Sequence, residues 1–185
     1  MLDEIYPRLF LEIIPEAILN KSPEITKFLK RQNNGESISS KYGELISTVY
    51  DIYPDSNIGL HFGKYLWPKT LCDYSRIITT SNDIRSAFEL INRVHHIHGA
   101  SYYPFTTVRG DVFSLALTFP FKDHVSSTQR RFCIEVVLSY MANAIKATTG
   151  RDFAPLNASF DFPEPAYVNE YKSKFGHNIT FDAPL

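Results

Sequence analysis

VFSLALTFPFKDHVSSTQRRFCIEVVLSYMANAIKATTG, residues 112–150, changes its hydrophobic rhythm midway, and the fold class turns on that change. In the opening stretch Phe113, Leu115, Leu117 and Phe119 alternate with Val112, Ser114, Ala116 and Thr118. Period two with one strongly apolar face is the pattern of a half-buried strand. From about Ser126 to Thr149 the spacing becomes helical. Phe132, Cys133, Val136, Val137, Tyr140, Met141, Ala144 and Ile145 form a wide apolar stripe, and Gly150 is a natural stop. Upstream, SYYPFTTV (101–108) reads as the partner strand, with Arg109-Gly110-Asp111 as the turn of a hairpin. That tripeptide also spells a cell-adhesion sequence, but a glycine turn between two alternating strands accounts for it without adhesion. Pro104 places the first strand at an edge or a bulge.

Further from the hairpin, the first third of the chain reads as helices. PEITKFLKRQ (23–32) sets Ile25, Phe28 and Leu29 on one face, and Asn33-Asn34-Gly35 ends it. A second helix spans about Ser40 to Tyr53, with Tyr42, Leu45, Ile46, Val49 and Ile52 buried, Ser39 or Ser40 as cap, and Pro54 as stop. A third, short helix covers 56–66. DYSRIITT (73–80) reads as a strand running into a helix capped by Thr80 with Asp83, whose face carries Ile84, Ala87, Phe88, Ile91 and His95. At the C-terminal end, Leu156, Ala158, Phe160 and Phe162 alternate. Tyr167 to Phe175 follows as a helix closed by Gly176, and Ile179 and Phe181 share a last strand. The sum is α+β: N-terminal helices, then a mixed, mostly antiparallel sheet covered by helices.

The chain has 185 residues, which fits a single domain of roughly 100–200 residues. Hydrophobic residues make up 44% and charged residues 21%, as in ordinary globular proteins. Nineteen basic against twenty acidic residues give a net charge of −1, which argues against a dedicated nucleic-acid binder. Two cysteines, Cys72 and Cys133, are too few for a disulfide framework and read as reduced thiols. The N-terminus lacks the basic region and cleavage site of a signal peptide, and no apolar run approaches a membrane span. The expected location is the cytoplasm, without membrane contact.

Three of the six histidines, His95, His96 and His98, crowd RVHHIHGASYYP (93–104). On a helix His95 and His98 share a face. Histidine near a helix C-terminus is favoured by the macrodipole alone. Contact with an organic ligand is the second reading. A metal is the third, because neither Glu89 nor Asp111 stands at a ligand spacing and HHxH is not HExxH. Gly59 and Gly63 in GLHFG lack the preceding strand and following Lys-Ser/Thr of a phosphate loop, so close helix packing is their expected use. Ser101, Ser114 and Ser139 have no elbow glycines and Cys72 no base, so no catalytic constellation is legible and no enzyme is expected. Fourteen Phe and eleven Tyr exceed what a polar surface needs. Core packing is their first use, and an aromatic-lined pocket, the usual build of a small-molecule site, the second.

Residues 57–98, NIGLHFGKYLWPKTLCDYSRIITTSNDIRSAFELINRVHHIH, resemble the N-terminal, arabinose-binding-like domain of a subgroup of AraC/XylS-type transcriptional regulators. Ile58-Gly59-Leu60 and Gly63 match its fGLxxG, and Ile78-Thr79-Thr80-Ser81 with Ile84, Ala87 and Phe88 its following helix. The tail matches through Gly150, Pro155, Phe160, Pro163, Pro165, Tyr171, Phe175-Gly176, Ile179 and Phe181. Trp67-Pro68-Lys69 replaces a glycine-rich spacer, Asn82-Asp83 replaces Thr-Leu, and the first 35 residues do not match. The resemblance implies a regulatory domain that binds a small effector, apolar or aromatic as readily as a sugar, or that dimerises. It thereby modulates a C-terminal helix-turn-helix domain, which would supply all DNA contact and is absent from residues 1–185. Trp67, His95, His98, Tyr102 and Tyr103 are the candidate effector contacts. No cofactor is expected, and a homodimer is. The competing readings are a ligand-free dimerisation module and a metal- or haem-linked sensor using His95 and His98.

Overall fold

The computed structural model of the chain describes residues 9–14, 23–34, 42–54, 56–69, 73–95, 103–118, 126–152 and 155–184. Helical residues 9–13 precede α1 (Pro23–Asn33), α2 (Tyr42–Ile52), α3 (Ile58–Lys69), α4 (Asp73–Thr80) and α5 (Ile84–His95). Then come the strands β1 (Tyr103–Arg109) and β2 (Val112–Thr118), the long α6 (Ser127–Thr149), and the closing β3 (Ala158–Ser159), α7 (Val168–Phe175) and β4 (Ile179–Thr180). The class is α+β, as the change of rhythm predicts.

The axis of the fold is α6. Its start is fixed by a capping box: Ser126 accepts from the Gln129 amide at 3.1 Å, and the Gln129 side chain accepts from the Ser126 amide at 3.2 Å. Its end is fixed by Gly150 at φ 70°, a left-handed position where a Cβ would be strained. The apolar stripe proves wider than the sequence pattern suggests. Ile134, Glu135, Ser139 and Ala142 are buried as well as Phe132, Met141, Ala144 and Ile145. The helix is enclosed because three apolar clusters pack against different sides of it. Phe10, Phe62 and Phe132 meet at ring-centroid distances of 5.1–5.9 Å, with Leu45, Val49 and Ile25 around them. Ile78, Ala87, Phe88 and Ile91 from α4 and α5 pack with Met141, Ala144 and Ile145. Phe160, Phe162, Tyr171 and Phe175 pack with Leu60, Ile134 and Ala142.

Residues 73–80 form a helix, not the expected strand. Ile77, Ile78, Thr79 and Thr80 make a β-branched run, but burying Ile78 against α5 and α6 outweighs that propensity. The hydroxyls of Thr80 and Ser81 turn back on the carbonyls of Arg76 (2.8 Å) and Ile77 (2.6 Å). The cap of α5 is Asp83 rather than Thr80: its carboxylate accepts from the Ser86 amide at 2.7 Å, three residues on. Those hydrogen bonds hold the Asp83 carboxyl below the usual carboxylate range. The cap expected at Ser39 or Ser40 lies outside the described residues.

The hairpin forms as expected. β1 and β2 pair antiparallel from Tyr103–Thr118 to Arg109–Val112, and Gly110 takes φ 56° in the two-residue turn. Phe113, Leu115 and Leu117 point inward, with Phe113 5.2 Å from Phe88. The second sheet is separate and smaller: β3 and β4 pair in parallel, joined by α7 as their crossover. Leu156, expected on the inner face of that strand, is 77% exposed because pairing begins only at Ala158.

Candidate functional site

Two glycines bring α3 onto α6. A Cβ at Gly59 would lie 2.4 Å from a Glu135 carboxylate oxygen, and one at Gly63 would lie 2.3 Å from the Val136 carbonyl. The GLHFG spacing therefore serves close helix crossing, as the sequence suggests, and both contacts are buried. At the Gly59 level Glu135 is 1% exposed and gathers four donors. Tyr167 and Tyr171 donate their hydroxyls to its Oε1, each at 2.6 Å, and Tyr50 donates to Oε2 at 3.1 Å. Arg131, one turn earlier, pairs with Oε1 at 3.2 Å. The guanidinium lies over the rings of Tyr50 and Tyr167 at 5.3 and 5.2 Å and reaches the Pro54 carbonyl. It also donates to the Tyr167 hydroxyl.

Burial pushes the Glu135 carboxyl above its ordinary range, while Tyr167, Tyr171, Arg131 and Tyr50 pull it back. Burial and the neighbouring carboxylate likewise hold Tyr50, Tyr167 and Tyr171 well above the usual phenol range, so they remain donors. This group ties α2, α6 and α7 together. Its polar atoms are already paired with one another, so it is a structural hub rather than an open binding surface.

At the Gly63 level the same crossing opens outward into a cleft. Ser139 donates to the Leu60 carbonyl at 2.6 Å, which seats the floor residues Leu60 and Ala142. α3 brings His61 and Lys64 to the rim, α6 brings Asn143 and Lys146, α7 brings Glu170, Ser173 and Lys174, and Asp152 just beyond α6 joins them. The cleft encloses about 360 Å³, at the small end of ligand-site volumes of roughly 300–1,000 Å³. Among the described residues, no Phe, Tyr or Trp lines its rim.

Charge in the cleft is unevenly matched. Lys146 pairs with Asp152 at 2.6 Å, both largely exposed, and Glu170 accepts from the Asn57 amide at 2.9 Å. Burial first, then the nearby Lys64 ammonium, hold Lys174 below the ordinary lysine range against the opposing pull of Glu170.

Three of the sequence-predicted contacts lie on described backbone. Trp67 lies in the last turn of α3, His95 is the last residue of α5 and Tyr103 the first of β1. His98 and Tyr102 lie outside the described residues, as do His96 and Cys72. Among the described residues no group of three His, Cys, Asp or Glu side chains is placed to hold a metal ion. The described aromatics pack chiefly on one another, as Phe160, Phe162, Tyr171, Phe175 and Phe181 do at 5.1–6.4 Å. Cys133 is a free, partly buried thiol on α6 whose pKa burial pushes up to about 11. Among the described residues no helix is long and apolar enough to cross a membrane.

Residues 33–185 match the family described as the arabinose-binding domain of AraC transcription regulators, N-terminal, and the chain belongs to that family. It is thus a regulatory, ligand-sensing type of domain. No curated protein matches the chain.

Proposed function

We propose that this domain senses a small hydrophilic effector in the α3–α6–α7 cleft and uses its occupancy to modulate DNA binding by a helix-turn-helix domain. The observation that carries the reading is the cleft itself. Eight of its described rim residues are polar or charged, seven of them from three helices, and its volume suits a molecule of monosaccharide size. The family's description as arabinose-binding points the same way. An effector lodged there would contact α3, α6 and α7 together. It can shift the domain between states only if it holds those helices differently in each.

Calorimetric titration of the chain with arabinose and its acid derivatives tests the reading, in parallel with Ser173→Trp, which fills the exposed rim without entering the core. Binding that the tryptophan abolishes supports the cleft. No binding, or binding untouched by the tryptophan, overturns it.

Dimerisation without effector is favoured by a different observation. The outer face of the hairpin exposes Phe105 (62%) and Val112 (46%). Light scattering would read this directly: a dimer that Phe105→Ser converts to monomer supports a hairpin interface, and a monomeric chain removes it.

A further inference from the structure

The charge of the cleft says more about its occupant than its size does. Of its three lysines, Lys146 is engaged by Asp152. Lys64 from α3 and Lys174 from α7 both line the cleft, and the Lys64 charge, after burial, disfavours that of Lys174. Glu170 offsets part of this, but one of its oxygens is occupied by Asn57. A neutral sugar would leave the repulsion in place and add only neutral hydrogen bonds. A single acid group between the two ammonium groups would relieve it and gain charge-assisted hydrogen bonds, about twice as strong as neutral ones. Asn143 and Ser173 are amide and hydroxyl groups suited to reading alcohols beside that acid. With the whole chain at a net charge of −1, the positive character is local to the recess, which fits a small anion and not a nucleic-acid backbone.

We propose that the effector is a small polyol bearing one acid group, held by Lys64 and Lys174 with Asn143 and Ser173 on its hydroxyls. This rests on the cleft being the sensing site. The test is calorimetry of the full chain with three probes of one carbon skeleton: arabinose, arabinonate and arabinose 5-phosphate. The expected result is that an acid probe binds at least tenfold more tightly than arabinose, and that Lys64→Gln and Lys174→Gln each remove most of that preference. Whether carboxylate or phosphate is read shows in which acid binds. Both lysines lie outside the hydrophobic clusters, so these variants are expected to fold, and circular dichroism checks it. Arabinose binding as tightly as the acids, with loss in Ser173→Trp but not in the lysine variants, overturns the acid class and leaves the cleft. Acid binding untouched by either lysine change also overturns the class. No binding by any probe overturns both.

Discussion

Gly63 on α3 and Glu135 on α6 carry different burdens at the same helix crossing, and substitution separates them. Helix propensity alone would reward Gly63→Ala by ~1 kcal/mol. Yet its new methyl would meet the Val136 carbonyl at 2.3 Å and the Ser139 Cβ at 2.7 Å, one of them backbone that cannot rotate away. We expect a net loss of about 1–3 kcal/mol in urea denaturation, and a gain would show that α3 and α6 are not in close contact. At Glu135 the exposed alternatives are absent, so removing one partner strands the others. Tyr171→Phe deletes a 2.6 Å bond to a carboxylate and should cost about 1.5–3 kcal/mol. Glu135→Leu should cost more, about 3–5 kcal/mol, by leaving Arg131 and three hydroxyls without their acceptor. Adding Arg131→Met to Glu135→Leu should recover part of that loss. A double variant no better than the single would mean that the guanidinium is adequately solvated by itself.

Among the elements, α6 depends on its first turn more than its length suggests, because the capping box also reaches α2. Gln129 Nε2 donates to Ser47 at 3.2 Å while its oxygen serves the Ser126 amide. Ser126→Ala should cost about 1 kcal/mol, read from the same denaturation curves. Local rules of this kind made much of the fold legible in the sequence. Gly150 and the helical spacing that starts near Ser126 bounded α6, and alternation in β2 with Gly110 in the turn gave the hairpin, because each signal sits within a few residues of its effect. The rule failed at 73–80, where two isoleucines and two threonines in a row favour a strand and only contacts with α5 and α6 make a helix. It failed again at Leu156, since two-residue pairing of β3 with β4 is decided by where α7 returns the chain. The cleft was not legible at all. Lys64, Lys146 and Lys174 are separated by long stretches of chain, and no spacing pattern connects residues that meet only through helix crossing. The crowded histidines of 95–98 stand out in the sequence only because they are local.

At the scale of the whole molecule, effector binding and protonation should be linked through Lys174. In the free domain this ammonium is held below the ordinary lysine value of 10.5 by burial and by Lys64, with Glu170 opposing. Between the lowered value and 10.5 the unfolded chain binds more protons than the folded one, so stability from this group rises as pH rises through that window. An anion seated between Lys64 and Lys174 reverses the sign: it favours the charged lysine, raises its pKa and draws in a proton. Affinity for arabinonate should therefore fall as pH rises through the free-state value of Lys174. His61, Lys64, Lys146, Asp152 and Glu170, the other ionisable groups of the described lining, are common to wild type and variant, which isolates the contribution of Lys174. Calorimetry in alkaline buffers of different ionisation heats measures the proton count directly. Uptake in the wild type that disappears in Lys174→Gln is the expected outcome. Equal proton counts in the two proteins would place the anion away from Lys174, even if the cleft itself is where it binds.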